Sequence, residues 1–182
     1  MAIKTFTTGE VLTASDTNTY LANSGLVYVT SATVGTAVSS VTISGCFTST
    51  YDNYRVIYQA GSASATAEFL LKFNNSTGST YSHGGVYVQY GSNTVFGEQA
   101  SGVSTGIRVG NTNTATFSCS FDIISAYPAT QTQVVSNHAD TTFWSSRGGR
   151  DSNAASQTGL ILLPSGGTLT GGTITVYGYR KA

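Results

Sequence analysis

The chain has 182 residues, enough for one domain with a substantial core, and its eight Lys and Arg balance eight Asp and Glu to give a formal net charge of zero. Charged residues make up 9% of the sequence, against about 25% in an ordinary soluble domain. Because the sequence has no basic cluster, no apolar run long enough to span a bilayer and no secretion signal, we expect neither nucleic-acid binding nor membrane insertion nor signal-peptide export.

The first 29 residues differ from the rest because they contain the only predicted helix. Thr13 is a good N-cap and Asp16 puts a carboxylate near the positive helix end, so a helix should begin at Ala14. Gly25 is expected to end it in a left-handed conformation. A helix this short is unstable alone and must dock, either on the chain's own β-domain as a plug or on another protein. The apolar side chains available for docking are Val11, Leu12, Tyr20, Leu21 and Leu26.

Residues 30–182 read as successive β-strands separated by Gly, Asn, Asp and Pro turns. No helical crossover pattern separates the strands, which predicts an all-β, antiparallel sandwich. A jelly roll is favoured over an immunoglobulin-type sandwich, because the strand count is nearer eight than seven and the only tryptophan follows both cysteines. The predicted strands are Leu26–Thr30, Ser40–Ser44, Tyr54–Gln59, Ala67–Phe73, Gly85–Tyr90, Ile107–Val109, Ala115–Ile124, Gln133–Asn137, Thr158–Leu163 and Thr173–Tyr179.

Two glycine-containing segments are interpreted as connections. His83 lies in Ser-His-Gly-Gly, which is typical of a turn. Arg147–Asp151, the densest charge cluster, is interpreted as a flexible solvated loop, with an inter-subunit salt-bridge loop as the alternative. The closing strand alternates Ile174, Val176 and Gly178 with polar and aromatic residues, so we expect that face to be buried and the strand to be paired on both sides or covered by another subunit.

The N-terminal segment follows the pattern F-x-x-G-E-x-L-T-A-x-D-x-N-x-Y-L, carried by Phe6, Gly9, Glu10, Leu12, Thr13, Ala14, Asp16, Asn18, Tyr20 and Leu21. It resembles an N-terminal signature of tailed-bacteriophage virion structural proteins. Two further stretches resemble segments of that family's β-domains: C-F-x-S-x-Y-D-N-Y-R-V from Cys46 to Val56, and G-T-I-x-V-Y-G from Gly172 to Gly178. Residues 60–130 match no part of the family, and receptor or partner specificity is expected there.

The resemblance implies a non-enzymatic virion protein, assembled in the bacterial cytoplasm, with residues 1–29 as the attachment segment and residues 30–182 as the jelly-roll-like domain. Analogy with phage surface jelly rolls implies a homotrimer bound to other virion proteins. A minor tail or fibre protein contacting the host ranks first, and a trimeric capsid decoration protein is the alternative; a free carbohydrate-binding module is disfavoured by the attachment segment. The attachment residues are expected to be Phe6, Val11, Leu12, Tyr20 and Leu21.

Candidate catalytic residues are few, and we expect no enzymatic activity, cofactor or metal. The sequence has no nucleophile elbow, P-loop or zinc-protease motif. His138 and Asp140 would share one strand face and could bind a metal or act as base and orienter, but two ligands do not make a site, and a solvated or hydrogen-bonded pair is expected. Asp122 and Glu68 could pair as glycosidase carboxylates, although solvation at strand ends explains them as well.

Non-catalytic glycan binding is a further possible function. Aromatic side chains near predicted loops supply the flat faces and polar tips that binding patches use. The alternative is that they belong to the β-core. We expect contact with a host glycan from Tyr81, Tyr90 or Trp144, with Tyr87 and Phe96 as further aromatic faces.

The two cysteines, Cys46 and Cys119, each lie inside a predicted strand. In a reducing cytoplasm such residues are usually small buried hydrophobes, and we expect them to be free thiols.

Overall fold

The computed structural model describes residues 7–17 and 25–181, and they are almost entirely β-structure. A three-residue helix, α1, spans Ala14–Asp16. The strands are β1 Leu26–Thr33, β2 Val41–Ser44, β3 Tyr54–Ala63, β4 Ala67–Phe73, β5 Tyr81–Gln89, β6 Val95–Val103, β7 Ile107–Thr112, β8 Phe117–Ile124, β9 Thr132–Ala139, β10 Phe143–Asp151, β11 Gly159–Pro164, β12 Leu169–Thr170 and β13 Thr173–Tyr179. No helix in the described part of the chain is long and apolar enough to cross a membrane.

The strands form two antiparallel sheets packed face to face. The large sheet has the order β1-β13-β3-β8-β9-β10-β5-β6, with β12 paired to β3, and the small sheet has the order β2-β11-β4-β7. The predicted all-β, antiparallel sandwich is therefore confirmed.

The core lies between the inner faces of the two sheets, where alternate residues of each strand are buried. In β9, for example, every second residue from Thr132 to His138 is buried and those between are exposed. Aromatic rings fill the centre, with Tyr58, Phe69 and Phe117 in mutual contact at centroid distances of 5.2–5.5 Å. Such offset and edge-on contacts add to the stabilisation that comes from burying apolar area.

The closing strand β13 occupies an interior position, between β1 and β3. The side chains of Ile174 and Val176 are fully buried. Both parts of the prediction for this strand, the buried face and pairing on both sides, are confirmed. Cys46 and Cys119 are free and buried, as expected, and burial raises the pKa of each thiol to about 12.

The two segments interpreted as connections are strands instead. His83 lies in β5 and Arg147–Asp151 lies in β10, where Arg147 pairs with Gly85 and Gly149 pairs with His83. Arg147 is buried rather than solvated. Close packing accounts for Gly85 and Gly149, because a Cβ at Gly85 would overlap the Ser146 carbonyl oxygen and a Cβ at Gly149 would overlap the side chain of Ile107 on the opposite sheet.

Strands β9, β10, β5 and β6 extend the large sheet beyond β8. Strand β7, at the edge of the small sheet, packs across β9, β10 and β5. Beyond this edge the inner face of the large sheet is only partly covered. The end of the small sheet and the uncovered part of the large sheet therefore border a groove.

Candidate functional site

The N-terminal segment forms the capped turn that the sequence predicts. The amide of Asp16 donates to Thr13 Oγ1 at 3.1 Å, and the amide of Thr13 donates to Asp16 Oδ2 at 3.1 Å. This reciprocal arrangement is a capping box, and α1 begins at Ala14 as expected. Gly25 has the predicted left-handed conformation, with a φ of 81°, but α1 ends at Asp16 with Thr17 as its C-cap, so the expectation that Gly25 ends this helix is wrong.

The described part of this segment does not pack on the sandwich. None of residues 7–17 is buried, and the exposed fraction is 79% for Val11 and 49% for Leu12. A plug would bury these side chains against its own domain, so the plug alternative does not hold for residues 7–17. The other proposed attachment residues, Phe6, Tyr20 and Leu21, lie outside the described residues.

The three aromatic residues predicted to contact a glycan occupy different environments. Tyr81 is 2% exposed, and its hydroxyl accepts a hydrogen bond from the Phe73 amide at 3.0 Å. The expectation for Tyr81 is wrong, because its ring belongs to the core. Tyr90 and Trp144 are exposed, Tyr90 just after β5 and Trp144 on the outer face of β10.

His138 and Asp140 are brought together, but away from solvent. Their Nε2 and Oδ2 atoms lie 3.7 Å apart and both side chains are fully buried, so the solvated interpretation is wrong. Burial lowers the pKa of His138 to about 4, with the Asp140 carboxylate acting in the opposite direction. The imidazole is therefore neutral at pH 7.

Ser145 completes a set of residue types found in nucleophilic triads, which the sequence did not indicate. Its Oγ lies 3.5 Å from His138 Nδ1 and accepts a hydrogen bond from the Arg147 guanidinium. Both separations, to Ser145 and to Asp140, exceed those of good hydrogen bonds. Because all of these side chains are buried, the arrangement can stabilise the fold but gives no substrate access to the hydroxyl.

The carboxylates of Asp122 and Glu68 do not form a pair, because Asp122 lies on the outer face of the large sheet and Glu68 lies on the small sheet. Asp122 accepts a hydrogen bond from the Tyr179 hydroxyl at 2.6 Å and lies 3.4 Å from Arg55. Glu68 pairs with Arg108 at 3.1 Å. Within residues 7–17 and 25–181, no group of three or more His, Cys, Asp or Glu side chains could hold a metal ion.

A second polar network connects the two sheets beside the groove. Arg147, on β10, pairs with Glu98, on β6. Glu98 also lies 2.5 Å from Arg108, on β7, which in turn contacts Glu68. Asn111 Oδ1 accepts hydrogen bonds from both guanidinium groups. Burial lowers the pKa of Arg108, an effect that the Glu98 carboxylate opposes.

The groove has a volume of about 450 Å³, within the range of small-molecule sites. The large sheet contributes the aromatic rings of Tyr87 and Phe143. The full lining, which we call the aromatic groove, is Thr66, Ala67, Glu68, Tyr87, Arg108, Asn111, Phe143, Ser165 and Gly166.

No protein-family model matches the chain, and no curated protein is similar to it in sequence.

Proposed function

We propose that this protein is a non-enzymatic structural protein of a tailed-bacteriophage virion. Its N-terminal segment attaches it to the particle, and its β-sandwich is displayed as a homotrimer. A minor tail or fibre protein that contacts the host is the first placement, and a capsid decoration protein that stabilises the head is the alternative.

The observation that carries the proposal is the exposed N-terminal segment. Val11 and Leu12 lie within the stretch that resembles the phage signature, and both are exposed beside a preformed capping box. Exposed apolar side chains on an ordered segment are suited to burial against a partner. Burying these two side chains in a neighbouring virion protein would attach the sandwich to the particle through apolar contacts and without ion pairs.

The strand order supports the jelly-roll part of the proposal. When the β5–β6 and β9–β10 pairs and β12 are set aside, eight strands remain. The large sheet keeps the order β1-β13-β3-β8, and the small sheet has the order β2-β11-β4-β7. If the eight strands are renumbered 1 to 8 along the chain, these orders become 1-8-3-6 and 2-7-4-5. This interleaving is the order expected of a jelly roll, with two inserted strand pairs that widen one sheet.

We place the trimer interface on the outer face of the large sheet, where a second copy of the chain would cover exposed apolar residues. Across the outer faces of β9, β10, β5 and β6 the only formally charged side chain is Arg150, so two neutral copies can approach without repulsion. The exposed apolar residues on this side of the sheet are Val86, Val95, Ile124, Val135 and Trp144.

Glycines on this same face support close approach by another chain. Gly84 and Gly148 pair across β5 and β10, and neither has a positive φ. An added Cβ would meet nothing closer than 3.4 Å at Gly84 and 3.9 Å at Gly148, so neither conformation nor packing within the chain requires glycine. Glycine weakens a strand interior and often marks a place where another backbone comes near.

We propose that the protein is not an enzyme because, among the described residues, the side chains of His138, Asp140 and Ser145 are buried and give a substrate no access to the Ser145 hydroxyl. The exposed attachment segment favours a particle-bound protein over a free carbohydrate-binding module.

The test is to locate the protein on purified phage particles with an antibody against the sandwich. Labelling of the tail tip or fibres supports the first placement, and dense labelling of the head supports decoration. Particles that lack the protein altogether, from cells that contain it in soluble form, would overturn the proposal. Quantitative gel analysis of copies per particle checks the placement independently.

A further inference from the structure

We propose that the aromatic groove is a binding site for a neutral saccharide. The groove lies where the inserted strand pairs extend the large sheet past the end of the small sheet. Most of its distinguishing residues lie within residues 60–130, the part of the chain that resembles no family segment.

One wall of the groove is an ordered aromatic surface. Tyr87 stacks on Phe96 with ring centroids 5.1 Å apart and an interplanar angle of 16°. Phe143 meets Tyr87 edge to face at 5.7 Å. The rings are therefore held in place before any ligand arrives, and Tyr87 and Phe143 line the cavity itself. A flat apolar surface of this kind fits the face of a sugar ring, which presents C–H groups.

The opposite wall offers fixed hydrogen-bonding groups. Glu68 is 43% exposed, and among the described residues its hydrogen bond to Arg108 uses only Oε1. Two hydrogen bonds join Ser165 and Glu68. The Ser165 amide donates to the Glu68 carbonyl oxygen, and the Glu68 amide donates to Ser165 Oγ. These bonds fix the backbone at the rim of the groove, and the ion pair with Arg108 holds the Glu68 side chain, so a ligand hydroxyl would meet an oriented carboxylate with little ordering cost.

The balance of positive and negative side chains beside the groove favours an uncharged ligand. The two arginines of the network, Arg108 and Arg147, are matched by Glu68 and Glu98. A phosphate, sulfate or carboxylate ligand would therefore find no uncompensated cation, and binding would break an existing pair. An uncharged ligand rich in hydroxyl groups uses the aromatic wall and the exposed carboxylate without disturbing the network.

The proposal deepens the function proposed above in one respect, because host contact would identify the saccharide as part of a cell surface. Binding itself does not depend on particle attachment. The two can fail separately, since the groove and Val11 lie in different parts of the chain.

The test uses the purified full-length protein on an array of neutral, sulfated and sialylated oligosaccharides, followed by titration calorimetry with the neutral oligosaccharide that binds best. Phe143→Leu and Glu68→Gln should each weaken that binding about tenfold or more. Tyr90→Ala, which changes an exposed aromatic residue outside both the groove and the proposed trimer interface, is the matched control and should leave affinity unchanged.

Thermal melting confirms that each variant is folded, and Glu68→Gln serves as the near-isosteric variant if Phe143→Leu proves unstable. No binding to any neutral oligosaccharide, preference for acidic ones, or a loss caused by Tyr90→Ala and not by Glu68→Gln would overturn the proposal. A Val11→Ser/Leu12→Ser variant should bind the oligosaccharide normally, whatever its effect on attachment.

Discussion

Arg147 and Glu98 form an ion pair across strand β5, over the position of Gly85. In the sheet register Gly85 is the partner of Arg147 on one side and of Glu98 on the other. A Cβ at Gly85 would lie 2.6 Å from Arg147 Cγ and 2.5 Å from the Ser146 carbonyl oxygen. The missing side chain therefore provides the space in which the buried Arg147 guanidinium meets the partly buried Glu98 carboxylate.

Gly85→Ala should destabilise the protein by about 2 kcal/mol or more, because it crowds the backbone and separates a buried ion pair. The matched control is Gly35→Ala, outside the proposed trimer interface, where the added Cβ would meet only Val38 Cγ1 at 3.4 Å and the effect should stay within about 1 kcal/mol. Urea unfolding of the two variants measures the difference. Equal stabilities would contradict the packing role given to Gly85.

The pairing of Arg147 with Glu98 joins β10 and β6, two strands that the sequence does not predict. The bounds predicted for β4 and β13 match the structure, because alternating apolar residues are a local signal. The sequence does not predict β6 and β10, since Gly and Ser interrupt their alternation and glycine usually indicates a turn. In β10, Gly149 lies against Ile107 of the opposite sheet, a contact between distant strands that no local pattern records.

The candidate sites divide in the same way. Thr13 and Asp16 could be assigned in advance, because a capping box is a spacing of three residues in one segment. The aromatic groove could not, because Glu68, Arg108 and Phe143 meet only through the registers of several strand pairs. Tyr81 was misassigned because an aromatic residue near a turn has the same local appearance whether it faces solvent or the core.

Ile174→Ala should lower the free energy of unfolding by about 2–5 kcal/mol, because it leaves a cavity in the core at a fully buried position. Thr175→Ala, on the other face of β13, is the control and should change stability far less. Denaturant unfolding measures both. An effect below about 0.5 kcal/mol for Ile174→Ala would contradict the inward orientation of this face.

Stability should fall as pH drops from about 6.5 to about 4. In the unfolded chain His138 takes up a proton near pH 6.5, whereas burial holds the pKa of the folded imidazole near 4. The unfolded state thus binds more protons in this window, at a cost of up to about 3 kcal/mol, and the loss levels off below pH 4. Burial also lowers the pKa of His83, which adds to the same trend.

His138→Gln removes one of the two titrating groups and should flatten the pH dependence. Urea unfolding of both proteins at pH 7, 5 and 4 is the measurement. Parallel curves for the variant and the original protein would contradict the role given to His138.

The proposed homotrimer should be insensitive to salt. Its interface is expected to be apolar and hydroxyl-rich, and raising salt from about 0.1 to 1 M shortens the Debye length from about 10 to 3 Å without weakening apolar burial. Light scattering should report a trimer across this series. A monomer at micromolar concentration, or dissociation at high salt, would contradict the proposal.

Val135→Lys should dissociate the trimer, because it places charges that repel one another in the proposed interface while leaving the isolated monomer intact. Thr42→Lys, at an exposed position on β2 of the small sheet, is the matched control. If both variants stay trimeric, the interface lies elsewhere; if only Thr42→Lys dissociates, it lies on the small sheet.

The most direct test of the central claim is incorporation of a Val11→Ser/Leu12→Ser variant into phage particles. These substitutions remove exposed apolar groups and leave Thr13 and Asp16, and hence the capping box, in place. Supplied in place of the original protein, the variant should fold normally and remain in the soluble fraction, with its copy number on purified particles reduced at least about tenfold. Incorporation at the original copy number would show that the N-terminal segment does not attach the protein.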